Sequence, residues 1–203
     1  QPVTDQTHCQ GANTNDLTLS IANGLGTIRY QWYSNSANAN TGGTAVPGAT
    51  SLTYTPTTAV VGITYYYCVI TQDVSGCEVV SATSRVEIVP APMITTQPEI
   101  LQVLCLNGTV NPLSVAFTNG TGTVSYQWYS NTVDDTSSGT LISGATMSSY
   151  TPPTTPTGAV FYYCELTFSQ GGCSSILPNT AHVHLGPLAT ISTQPTAITD
   201  ICD

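Results

Sequence analysis

Lysine is absent from this chain of 203 residues, and arginine occurs only as Arg29 and Arg85, against eleven acidic residues and a net charge of −9. A nucleic-acid-binding protein neutralises phosphates with cationic side chains, so no nucleic-acid partner is expected. Anionic membrane surfaces are disfavoured for the same reason. No signal peptide or transmembrane segment is visible, so no direct membrane insertion is expected of this stretch, although that says nothing of a longer parent. Only 6% of the residues are charged. Solubility therefore falls to threonine, serine and asparagine, a surface commoner outside cells than inside them.

The chain also lacks the patterns that carry chemistry. It has no Gly-x-Ser-x-Gly elbow, no phosphate-cradling glycine loop and no His-Glu-x-x-His helix. Its acids are scattered, so no catalytic residue and no cofactor are expected. There is no Cys-x-x-Cys pair, which argues against zinc. His182 and His184 alternate on a predicted last strand as ligands might, but no third ligand is near in sequence. Asp134 and Asp135 sit in a loop with "TSSG", too few oxygens for calcium. No metal site is expected. "NGT" at 107–109 and 119–121 satisfies the glycosylation acceptor pattern.

What is there is repetition. "YQWYSN" occupies residues 30–35 and again 126–131, an offset of 96. "GAT" at 48–50 and 144–146, and "YTP" at 54–56 and 150–152, keep that offset. So do the cysteines: Cys9, Cys68 and Cys77 become Cys105, Cys164 and Cys173, and Cys202 repeats Cys105 with one residue inserted. "TQP" at 96–98 and 193–195 marks the seams. The predicted division is a first repeat over 1–91, a second over 92–188 and the start of a third over 189–203, as in a piece of a longer array. Seven cysteines at repeated spacing point to disulfides and an oxidising, extracellular or cell-surface location.

Short runs rich in Thr, Val, Tyr and Ile, broken every eight to twelve residues by Gly, Pro, Asn or Asp, predict an all-β fold. "DLTLSIANG", "TIRYQWYSN", "SLTYTP", "ITYYYCVIT" and "SRVEIVP" are the clearest. No segment holds a 3.6-residue apolar period. The expectation is two tandem β-sandwich domains of about seven strands each, with Trp32 and Trp128 turned inward on the second clear strand of each repeat.

At that Trp, and at the Tyr66 that precedes Cys68 by two residues, each repeat resembles the immunoglobulin fold. The resemblance implies a core of Trp32, Tyr66 and Cys68, repeated as Trp128, Tyr162 and Cys164. It departs at strand B, where the usual cysteine is replaced by Leu19 and, in the second copy, by Leu113. The pattern "HCQGANTNDLTLS … YQWYSN … GAT … YTP … YYYCVITQDVSGCEVVSA" is similar to the immunoglobulin-like repeats of very large secreted surface adhesins of Bacteroidetes, including cargo of the type IX secretion system. That resemblance implies disulfides Cys9–Cys77 and Cys105–Cys173. Such a pairing leaves Cys68 and Cys164 as buried thiols, whereas Cys9–Cys68 would leave Cys77 free on a turn. Spacing alone does not fix the connectivity.

The same alternation turns Tyr33, Tyr65 and Tyr67 outward, and in the second copy Tyr129, Phe161 and Tyr163. They form a candidate binding stripe for a glycan or a surface protein, weighed against cross-strand pairs that only stabilise the sheet. The reading favoured is a non-catalytic spacer of a long extracellular adhesin whose partners are the neighbouring repeats of the same chain. "VPAPMITTQP", with three prolines, would keep neighbouring domains extended. Alternatives are a glycan- or protein-binding accessory module of a secreted hydrolase, and a subunit of an extracellular filament.

Overall fold

The computed structural model describes residues 5–24 and 26–195, so Cys202 and most of the expected third repeat lie outside the described residues. The first repeat contains β1 (Gln6–Cys9), β2 (Leu17–Thr18), β3 (Ile28–Asn35), β4 (Thr44–Ala45), β5 (Thr53–Tyr54), β6 (Gly62–Gln72), β7 (Glu78–Val80) and β8 (Ser84–Val89). The second contains β9 (Met93–Thr96), β10 (Leu101–Cys105), β11 (Leu113–Ser114), β12 (Ala116–Thr118), β13 (Val124–Asn131), β14 (Thr140–Leu141), β15 (Ser149–Tyr150), β16 (Gly158–Phe168) and β17 (Ala181–Gly186). Among the described residues there is no helix.

Each repeat is a sandwich with one large sheet on one side and short two-stranded sheets on the other. The large sheets run β1-β8-β6-β3-β4, with β7 also on β6, and β10-β17-β16-β13-β14. Facing them are the pairs β2-β5 and β11-β15, and in the second repeat β9-β12. A first strand parallel to the last, on an otherwise antiparallel sheet, is the arrangement of an immunoglobulin-like domain.

The repeated hexapeptide builds this frame residue by residue. Trp32 and Trp128 are fully buried, and each indole Nε1–H donates at 2.9 Å to a carbonyl of the opposing loop, Ser51 and Met147. Gln31 and Gln127 each donate twice, to their own Trp carbonyl and to that of Val46 or Ile142. Asn35 and Asn131 close the following turns by accepting from the amides of Ala37 and Val133. Tyr66 and Cys68, and Tyr162 and Cys164, lie in the two cores beside the tryptophans. The strand-B position needs one adjustment. Leu113 faces Tyr150 and Leu17 faces Tyr54, so Leu17, not Leu19, is the counterpart of Leu113. Both are fully buried, each in the core of its own repeat with the tryptophan and the strand-F cysteine.

Candidate functional site

The cysteines define the most informative place in the molecule. The disulfide joins Cys9 to Cys173, across the two repeats, with Cα atoms 5.1 Å apart. This corrects the expected Cys9–Cys77 and Cys105–Cys173 bridges. The reason is strand length. Cys9 ends β1 beside Val89, next to the start of β6, where Gly62 faces Ile88. Cys77 lies past the other end of β6, its carbonyl accepting from the amide of Gln72. The eleven residues of β6 separate the two poles by roughly 33 Å at about 3.3 Å per residue, far beyond the Cα separation a disulfide spans. Cys105 and Cys173 are held apart in the same way by the eleven residues of β16.

The bridge therefore runs from the lower pole of the first repeat to the upper pole of the second. Around it the joint is close. The Cys9 amide donates to the Gly171 carbonyl at 2.8 Å, and a Cβ on Gly172 would lie 3.3 Å from the Ala12 Cβ. Gly120, in the loop after β12, donates its amide to Pro90 of the linker and sits against Pro92. Cys9 is only 1% exposed, whereas its counterpart Cys105 is exposed, as is Cys77. Cys68 and Cys164 are buried free thiols. Desolvation pushes them up to about 11 and about 12, well above the ordinary thiol range.

The aromatic stripe is placed differently from its expectation. Tyr67 and Tyr163 are buried, at 3% and 4% exposure. The loop between β3 and β4 covers Tyr67: Gly43 donates its amide to the phenol oxygen at 3.0 Å, as Gly139 does to Tyr163 at 3.1 Å. Tyr33 stacks on Tyr67 with centroids 5.2 Å apart, and Tyr129 on Tyr163 at 5.0 Å. Tyr65 and Phe161 are half-buried, and Phe161 stacks on His182 at 4.6 Å. Tyr33, Tyr65, Tyr129 and Phe161 thus stay half-buried, whereas Tyr67 and Tyr163 serve cross-strand stacking and the seating of a loop. The sequence carried a signal for this: Gly43 and Gly139 keep the offset of 96.

Sequence reasoning also missed a buried amide clamp. Gln6 bonds both the amide and the carbonyl of Asn15, and Gln102 does the same with Asn111. Both residue pairs are retained at the offset of 96. His184 packs edge-on against His182, and among the described residues no three His, Cys, Asp or Glu side chains converge. Asp135 is occupied by Ser137 and Ser138, which hold its carboxyl below the usual range, and Asp134 accepts from the Thr180 hydroxyl.

A family model described as a domain of unknown function (DUF8696) matches residues 3–90, the first repeat. No curated protein sequence matches the chain. Among solved structures, the chain is similar to the fibronectin(III)-like modules of Clostridium thermocellum CbhA, with 13% identity, coverage of 96% of this chain and 97% of that one, and a TM-score of 0.41. It is similar also to DIP-gamma IG1+IG2, with 14% identity, 94% and 98% coverage and a TM-score of 0.42. With Sidekick-1 immunoglobulin domains 1-5 the identity is 14% and the TM-score 0.38, over 96% of this chain and 42% of that one. These scores are low, so the assignment as immunoglobulin-like rests on the strand order above.

Proposed function

We propose that the chain is a non-catalytic spacer, a segment of a rod of immunoglobulin-like repeats that holds a more distant binding region away from a cell surface. The observation that carries this reading is the disulfide from Cys9 to Cys173. A bridge within each domain would stabilise domains one by one. A bridge across the joint fixes one domain on the next, and stiffness between domains is what a spacer needs. The two prolines of the linker, Pro90 and Pro92, support it by restricting the backbone at the same joint. Disulfide use and a surface of hydroxyls and amides support an extracellular, cell-surface setting. The partners are then neighbouring repeats of the same kind. The resemblance of the repeated sequence pattern to Bacteroidetes adhesin repeats supports a parent that is a secreted surface protein, with export by a type IX system as part of that proposal. The aromatic stripe, with Tyr67 and Tyr163 covered, gives little support to direct glycan or protein binding.

Small-angle scattering on the oxidised chain and on a Cys9→Ser, Cys173→Ser variant tests the spacer reading. The disulfide-bonded chain is expected to give a narrow distance distribution with two resolved lobes, and the variant a broader one with the domains still folded. Identical curves would contradict a rod whose stiffness comes from the bridge.

A further inference from the structure

The long first strands of the two large sheets, β1 and β10, differ at one inward position. In parallel register Gln6 and His8 share the core side of the sheet with Val86 and Ile88. Gln102 repeats Gln6 at the offset of 96, but the counterpart of His8 is Leu104, which packs against the second core. A histidine only 8% exposed thus stands where the second repeat places a leucine. It also stands at the joint. With Gln6 and Asn15 it borders a cleft of about 420 Å³ whose far wall is Gly171 and Gly172 of the second repeat.

We propose that His8 makes the joint pH-sensitive: on taking up a second ring proton it favours a joint in which residues 169–172 have lifted from the edge of β1. The inference rests on the bridged-joint reading and adds to it a means of loosening the joint where the bridge is reduced.

The neighbours of His8 fix its neutral form. Gln6 Nε2 donates to the Asn15 carbonyl at 3.1 Å, so Gln6 Oε1 is the atom that accepts from the Asn15 amide, at 3.2 Å. His8 Nε2 lies 2.8 Å from that same oxygen. An amide oxygen only accepts, so Nε2 carries the ring proton and a second proton must go to Nδ1. The clamp does not need the histidine: in the second repeat Gln102 accepts from the Asn111 amide at 2.8 Å beside Leu104.

Little around the ring compensates a charge. On β8 the residue facing His8 is Ile88, while Arg85 and Glu87 pair at 2.9 Å on the outer side, where Glu87 also accepts from the Thr7 hydroxyl. Residues 10–15, residues 56–61 bonded to Gly11 and Ala12, and residues 169–172 include no charged side chain. Asp16 accepts from the Thr55 hydroxyl. Asp5, which is exposed, is the one carboxylate bordering the cleft among the described residues. An imidazolium there would exchange its hydration for a single solvent-screened carboxylate, and desolvation holds His8 below the ordinary histidine range.

The wall that can move belongs to the other repeat. Residues 171 and 172 meet the first repeat through the Cys9 amide, which donates to the Gly171 carbonyl at 2.8 Å, and through the approach of Gly172 to Ala12. Lifting them opens the cleft to water and hydrates the imidazolium while both cores stay folded. The sign follows. A ring whose pKa is lowered in the closed joint stabilises that joint fully above the open-joint value, and the contribution is lost as pH falls from about 6.5 through the lower one. Each unit between the two values is about tenfold in the ratio of open to closed joints.

The test follows the imidazole signals by NMR between about pH 8 and about pH 4.5, on both sides of the ordinary histidine pKa. It compares the oxidised chain with the Cys9→Ser, Cys173→Ser variant kept reduced, and His8→Leu identifies the His8 signal. The bridge holds the loop down, so His8 should titrate lower in the oxidised chain, by about half a unit or more, which is about threefold in proton affinity. Small-angle scattering of the variant should broaden from neutral pH to about pH 5 with both domains folded, and adding His8→Leu should remove that broadening. Equal His8 titration in the two chains, or acid broadening that survives His8→Leu, would overturn the proposal. So would loss of the folded first repeat at that pH, which would tie the proton to the core and not to the joint. In each of these cases a narrow, pH-independent distribution from the oxidised chain leaves the bridged spacer standing, and a broad one removes it.

Discussion

At the scale of single residues, the repeated letters are explained by contacts that each copy makes for itself. Trp32, Gln31 and Asn35 satisfy their polar atoms on loops that close over β3, and the second copy repeats every one of those bonds. Inward and outward alternation was legible in the sequence, which is why the core tryptophans and the buried Cys68 and Cys164 could be named from it. What alternation does not say is whether an outward side chain meets water or a loop. Tyr67 is outward on its strand and still 3% exposed, because the loop through Gly43 lies on it. That contact predicts a sharp effect. A Cβ at Gly43 would approach the Ser34 carbonyl to 2.7 Å and the Tyr67 ring to 2.9 Å. Backbone cannot yield as a flexible side chain would, so Gly43→Ala should lower stability by about 1–3 kcal/mol in thermal or denaturant unfolding. Gly42→Ser changes a neighbour with open space around its Cβ and serves as the comparison. Its positive φ of 72° will carry a smaller cost.

Elements add what residues cannot show, and here the sequence reading failed in an instructive way. Strand positions were predicted from composition, and the five clearest runs of the first repeat overlap β2, β3, β5, β6 and β8. The offset of 96 correctly said which cysteines are equivalent. It carried no information on which end of a strand each one reaches. β6 spans eleven residues and places Cys9 and Cys77 at opposite poles, so a pairing that looks natural along the chain is ruled out across the fold. The two sheets of each domain also meet around a tyrosine pair, Tyr54 with Tyr66 and Tyr150 with Tyr162, at centroid separations of 5.2 and 5.7 Å. Burial pushes Tyr66 and Tyr162 up to about 12, and Cys68 and Cys164 to about 11 and about 12. Groups whose folded pKa is raised stabilise the fold fully below their unfolded pKa. That contribution is lost as pH rises through the interval up to the folded pKa. Stability should therefore be level from neutral pH to about 9 and fall between about 9 and 12. Urea unfolding followed across that range checks it. A midpoint that holds to pH 12 would contradict the packing assigned to these side chains.

For the whole molecule, the central matter is where the covalent constraint sits. A bridge inside each sandwich would make two independent domains joined by a proline-containing linker, free to vary in angle. The bridge across the joint ties the end of β1 to the loop after β16 and buries Cys9 between the repeats. It links residues 164 positions apart, and closure of so long a loop contributes about 2–4 kcal/mol. Much of that contribution goes to holding domain on domain, since each domain has its own core. An array built this way gains stiffness at every joint from one repeated pair of positions, the cysteine after the first strand of one repeat and the loop cysteine of the next.

Peptide mapping of the unreduced protein tests this most directly, and a protease other than trypsin is needed because Arg29 and Arg85 are the only tryptic sites. With thiols blocked by alkylation at acidic pH before digestion, the account predicts one linked peptide pair containing Cys9 and Cys173. Linked pairs containing Cys9 with Cys77 and Cys105 with Cys173 would contradict it.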